Sequence, residues 1–197
     1  MTKIGQIHAL PREEANRHHP VHVRGVVTFF NVRPSIVSTS FLDEIGSNMF
    51  VQDSSGGNWV DIAGAQGPPL ESGDYVELDG ITRQSDFAPD IVNPRWNKLG
   101  KAPLPVPLKA EFGRLASTRE DSHWVEVEGI VRSAQMYQSN LKQISQWTVD
   151  GLPAGFPIST PPSRPILSTR EFACVASAGL VSTSKIKQSQ FCCSFPI

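Results

Sequence analysis

The stretch Pro20 to Phe30, PVHVRGVVTFF, returns in altered form as Ser122 to Arg132, SHWVEVEGIVR. At an offset of 104 residues, His19, Val21, Val23, Gly25 and Val27 meet His123, Val125, Val127, Gly129 and Val131. Each copy alternates apolar and polar residues around a central glycine, as a strand does when one of its faces lies in a core. A glycine inside such a strand marks a bend or bulge where a small barrel turns a corner. The repeat predicts two copies of one small β-domain, each opened by a coiled first strand.

Length agrees with two domains. The chain has 197 residues, and domains of about 100 residues are common. Hydrophobic residues make up 39% and charged ones 19%, enough to fill a core and too apolar for disorder by composition. Sixteen prolines and fifteen glycines argue for short strands and turns over long helices. The net charge of −1 and pI near 6.5 do not suit a generic nucleic-acid binder or a membrane-surface protein. No apolar run approaches the roughly 18 to 20 residues that span a bilayer. MTKIGQIHAL lacks the basic-then-apolar layout of a signal peptide. A cytoplasmic protein and an excised mature domain both fit that start.

Taken in order, Pro11 to Asn16 (PREEAN) is a short helical candidate, with proline and acids at its start. A first strand is expected from His22 to Phe30, then a long loop or irregular insertion from Asn31 to Ser47. Asn48 to Asp53 and Asn58 to Ile62 form a predicted hairpin around Ser54-Ser55-Gly56-Gly57. Asp74 to Arg83 is the fourth strand, Ser85 to Pro94 a tight segment, and Arg95 to Leu99 completes the unit. Residues 1–100 thus form a first domain. Lys101 to Pro107, with alternating prolines, is an extended linker, and residues 108–197 form a second domain. There, Leu108 to Ser117 gives a helical turn or two. Leu141 to Val149, Phe172 to Val181 and Ile186 to Phe195 read as strands, and Gly151 to Pro165 as a Gly/Pro-rich connection. The fold class is all-β: two tandem OB-like barrels with short helical turns, the second less regular.

The segments VRGVVT (Val23 to Thr28), FVQDSSGG (Phe50 to Gly57), VELDGIT (Val76 to Thr82), DFAPDIVNPR (Asp86 to Arg95) and EDSHWVEVEGIVR (Glu120 to Arg132) resemble the N-terminal tandem OB-like region of bacterial sensor histidine kinases, especially large acidobacterial ones. The resemblance implies a sensory or scaffolding input module of a two-component system. Such a module is held outside the membrane, periplasmic or otherwise extracytoplasmic, and feeds a downstream kinase domain. The sequence departs from that pattern in having no signal peptide, membrane-spanning helix or kinase core, and in the length of Asn31 to Ser47.

Chemistry-bearing residues are sparse. His18, His19 and His22 cluster in HHPVH, and His123 could approach them, but no Cys or carboxylate stands beside them at a ligand spacing. The favoured reading makes them solvent-facing residues at the strand entry, with no metal. Cys174, Cys192 and Cys193 lack a CxxC spacing. Buried small hydrophobes are favoured, and a bridge from Cys174 to Cys192 or Cys193 stays open in an oxidising compartment. Asp86 and Asp90 invite a paired-carboxylate reading, yet nothing marks a cleft or a raised pKa. No phosphate loop or catalytic triad order occurs, so no enzyme and no cofactor are expected. The ligand or partner surface, for a small molecule or a protein, is placed at Gln52, Asp53 and Trp59 with Asp86, Phe87, Asp90, Asn93 and Arg95.

OB barrels also bind single-stranded nucleic acid, through aromatics on the second and third strands and a basic groove. Phe50 and Trp59 are suitably placed, and Arg24, Arg33 and Arg83 would have to gather around them. The two strands carry Asp53 and Asp61 and no basic residue. Phosphate neutralisation supplies nearly all non-specific affinity, so nucleic acid is the alternative and a non-enzymatic sensory or interaction module the main expectation. In that reading Phe50 and Trp59 fill the barrel. Trp124 is expected to be a core anchor that ties the second barrel to what precedes it, covering Leu104 or Leu115, and not a ligand-stacking residue.

Overall fold

The computed structural model describes residues 1–32, 47–65, 67–85, 88–109, 121–139, 142–149, 152–158, 171–177, 181–182, 185–186 and 190–192. These are mostly β-strand with two short helices, so the all-β class holds. The chain forms two compact units: Met1–Val106 with Asp121–Trp124, and Pro107–Glu120 with Val125–Ile197.

In the first unit, helices α1 (Ile4–His8) and α2 (Arg12–Ala15) precede strands β1 (Pro20–Asn31), β2 (Asn48–Asp53), β3 (Gly56–Asp61), β4 (Asp74–Arg83) and β5 (Asp90–Lys101). The strands close on themselves in the order β1-β2-β3-β5-β4, with β4 returning to β1. Only the β3–β5 pairing among them is parallel. Alternation puts Val21, Val23 and Val27 of β1 inside with Met49 and Val51, Val60, Val76 and Leu78, and Ile91. Burying each such side chain contributes roughly 1.5–3 kcal/mol.

Ile4 and Ile7, three apart on α1 and fully buried, join that core. Sequence reading saw the second helix, with Pro11 and Asn16 as its caps, but not α1. With Gly5 inside it and no acid in its first turn, α1 has little propensity of its own. It is held from outside: the Ile4 N–H donates to Asp53 Oδ2 (3.1 Å) and the Gly5 N–H to Ser55 Oγ (2.9 Å).

Gly25 stands where β1 exchanges partners. Up to Val26 the strand pairs with β4, and from Val26 onward with β2. A Cβ at Gly25 would lie 2.8 Å from both the Gln52 carbonyl oxygen and Val51 Cγ2, so the crossing is too close for a side chain. A bulge follows between Val27 and Phe29.

The second half of the tight segment expected from Ser85 to Pro94 is instead strand, because β5 begins at Asp90. Pro94, inside this strand, lacks an N–H for a ladder. The structure accommodates it at a bulge opposite Gly80, where Asp79 pairs with Arg95 and Ile81 with Val92. Asn93 takes the left-handed conformation there (φ 53°), which asparagine tolerates better than most residues.

The second unit contains β6 (Leu108–Lys109), β7 (Trp124–Ser139, of which Trp124 packs with the first unit), β8 (Lys142–Val149), β9 (Leu152–Ile158), β10 (Glu171–Ser177), β11 (Val181–Ser182), β12 (Lys185–Ile186) and β13 (Gln190–Cys192). The sheet order is β10-β13-β9-β8-β7-β6, with β10 also pairing β7, while β11 and β12 pair separately. Strand β9 corrects the Gly/Pro-rich connection: Pro153 and Pro157 lie within it, opposite Thr148 and Ile144 of β8. The bulge in β7 falls between Val131 and Ser133, the repeat positions of Val27 and Phe29. Cys192 is paired with Val175, the neighbour of Cys174; Cys193 lies outside the described residues.

Candidate interaction face of the first barrel

Strand β2 turns Met49 and Val51 into the barrel and Phe50 and Gln52 out of it, beside Trp59 of β3, which pairs with Phe50. This outer face is covered. Phe50 is 2% exposed and meets Phe29 edge-on, ring centroids 6.3 Å apart. It is therefore buried outside the barrel rather than filling it, while Trp59 is half-buried.

The chain's own residues 121–124 lie over the hairpin end of that face. The Trp124 N–H donates to Gln52 Oε1 at 2.8 Å, in a buried bond. The Ser122 carbonyl crosses Gly57 so closely that a Cβ there would be 2.0 Å from its oxygen. The Ala88 N–H, in the β4–β5 connection, donates to Asp121 Oδ2 (3.3 Å). Asn58 ties the same connection to β3 by donating from Nδ2 to the Pro89 carbonyl (3.0 Å). Asp121, Ser122 and Trp124 are all buried, and Ser122 adopts a left-handed φ of 62°. Such strain persists only where the surroundings fix it.

Those of the residues singled out from sequence that are described fall into three groups. Gln52, Asp53 and Trp59 come together in the β2–β3 hairpin, with Asp53 accepting from Ile4 and Ser55 and so joining α1 to the turn. Asp90 is buried and ion-paired with Arg83 (3.2 Å), whose other nitrogen meets Asp61 (3.1 Å). Asn93 and Arg95 are exposed on β5. Asp86 and Phe87 lie outside the described residues. Sequence reading missed the contribution of residues 121–124 and of His8. Gly56-Gly57 was a signal for the former, since paired glycines admit a close backbone as well as a turn.

The histidines of HHPVH turn to separate partners. His18 Nδ1 donates to the Thr82 carbonyl (3.1 Å), His19 Nε2 meets Glu14 (3.2 Å), and His22 Nδ1 meets Asp79 (2.7 Å). His123 meets His8, not that cluster, with ring centroids 5.8 Å apart at 80°. Among the described residues no group of three or more His, Cys, Asp or Glu is arranged to hold a metal ion. No described helix is long and apolar enough to cross a membrane.

No family model matches this sequence, and no curated protein matches it. A solved structure reported as "Structural mimicry for functional antagonism" is similar at 8% identity over 86% of this chain and 87% of its own, with a TM-score of 0.32. A superposition that loose assigns neither fold nor function.

Proposed function

We propose that the chain is a non-enzymatic pair of OB-type barrels that works as a docking or sensing input module, of the kind carried by bacterial two-component sensor kinases. The tandem reading is supported by matching circuits. The first unit runs β1-β2-β3-β5-β4, and the second runs β7-β8-β9-β13-β10, each with its last strand paired to its first. The third strand of each circuit makes a parallel pairing, β3 with β5 and β9 with β13.

One observation carries the docking reading: a polypeptide segment already occupies the surface on which OB barrels take ligands. That surface is the face of strands two and three with the loops beside it. Gln52, Gly57 and Ala88 supply it here, and residues 121–124 fill it. Main-chain recognition of this kind suits a peptide.

Single-stranded nucleic acid is less well supported. Phe50 is buried, and Arg83 is held between Asp61 and Asp90. Arg24 is paired with Glu77 at 2.7 Å, and Arg33 lies outside the described residues.

The test is made on the complete product of the gene that encodes this sequence. A histidine kinase core in the same polypeptide is expected, with autophosphorylation that changes severalfold on Gln52→Ala. A product without such a core, or one whose autophosphorylation ignores the face, overturns the reading.

A further inference from the structure

His8 is a titratable group with no place in the reading above. It closes α1, packed toward the Gly57 end of β3, and its Nε2 is buried without a hydrogen-bond partner. Across from it, His123 rides on the docked segment and presents its ring edge-on at 5.8 Å between centroids. The His123 Nδ1–H donates to the Asp121 carbonyl (3.1 Å), which fixes that ring to the segment.

Among the described residues no carboxylate is hydrogen-bonded or ion-paired with His8. Lys3 on α1 is cationic. Asp53, at the end of β2, accepts from Ile4 and Ser55. Asp121 accepts from Ala88, and His123 presents a second imidazole ring. A proton added to His8 Nε2 would make a buried donor with no acceptor, facing the edge of another imidazole.

We propose that residues 121–124 are an acid-opened latch on the β2–β3 face, closed while His8 is neutral and released when His8 takes up a proton. The inference rests on the seat of this segment and not on the kinase reading. Burial above all, and then His123, push the His8 pKa below the ordinary value of 6.5, against a backbone hydrogen bond at Gly57 that raises it. Because the docked value is the lower one, docking is at full strength above pH 6.5. It weakens as pH falls below that value and levels off once pH passes the docked pKa. Each unit of depression corresponds to about tenfold in the docking equilibrium.

The experiment follows the Trp124 amide by nitrogen–proton NMR in the full chain, from roughly pH 8 to pH 5. The protection factor of that amide, corrected for intrinsic exchange, is expected to fall across that range in step with the titration of the His8 ring. In the same spectra the His8 ring should titrate below 6.5. His8→Phe, which cannot take a proton, should keep the Trp124 amide protected across the range. Three results overturn the latch: unchanged protection in the wild type, release at the same pH in His8→Phe, or a His8 midpoint at or above 6.5. The last is read on the wild-type chain, so the test survives a variant that fails to fold. A chain that binds oligonucleotide or lacks a kinase partner would still show the titration, which separates the two proposals.

Discussion

Gly57 and Ser122 share a space that admits no side chain: a Cβ on the glycine would fall 2.0 Å from the serine carbonyl oxygen. The offending atom is backbone and cannot swing aside. Alanine at position 57 must therefore displace residues 121–124 or distort β3. Gly57→Ala is expected to destabilise the chain by about 1–3 kcal/mol, the usual range for overpacking. Urea denaturation followed by circular dichroism measures it. An unchanged midpoint would mean that the segment does not sit where the structure puts it.

Trp124 is 5% exposed and its amide is bonded to Gln52, so it belongs with the first barrel. The sequence expectation of a buried anchor agrees with that burial, while the residue's place in the first unit differs from the expectation that its loss would act on the second domain. Leu104, one of the residues it was expected to cover, is 40% exposed. Trp124→Ala should cost ~3–5 kcal/mol, and the loss should be read in faster amide exchange at Val51 and Gln52 of β2. Exchange in β2 matching the wild type would return the residue to the second unit.

Asp74 makes an acid-sensitive tie between β4 and β5. Its side chain is fully buried, with Lys101 Nζ at 2.8 Å and Lys98 Nζ at 2.9 Å from Oδ1. The Glu71 N–H donates to Oδ2 at 2.9 Å. Burial pushes the carboxyl up, but the Lys101 ammonium, the Glu71 N–H and Lys98 together outweigh it and hold the pKa at about 2, against an ordinary 3.8. The folded value is the depressed one. The tie is therefore fully present above pH 3.8 and is lost as pH falls from there through about 2. Asp74→Asn should be less stable than wild type at neutral pH, and the gap should close in that acid window. A gap that stays constant from pH 7 to pH 2 would refute this assignment.

Oligonucleotide binding should be weak or absent at physiological salt. Strands β2 and β3 carry Asp53 and Asp61 and no basic side chain, and Arg24 and Arg83 are already paired. A fluorescence-anisotropy titration with single-stranded DNA measures it. Submicromolar binding that weakens steeply with salt, as counterion release requires, would favour nucleic acid over the docking module.

Strands whose two faces differ were legible from residue alternation alone. β2 and β4 occupy the expected residues, and β1 extends the expected span by a residue or two at each end, because alternation is a local property that one buried face imposes. Gly25 was legible as a bend for the same reason, and the bulge beyond it recurs at Val131–Ser133. Local pattern failed where another part of the chain decides the structure. α1 exists because Asp53 and Ser55 cap its start and the barrel buries Ile4 and Ile7. Pro94 lies in a strand because Gly80 opposite it permits a bulge.

The interaction face shows the same division. Gln52 and the turn after it stood out as polar and glycine-rich residues between strands. Their occupant, residues 121–124, lies some seventy residues away in sequence, at the second copy of the repeat. No period or spacing links Gln52 to Trp124, His8 to His123, or Gly57 to Ser122. Closing the barrel and laying the chain back across it creates those pairs, and only the tertiary structure decides them.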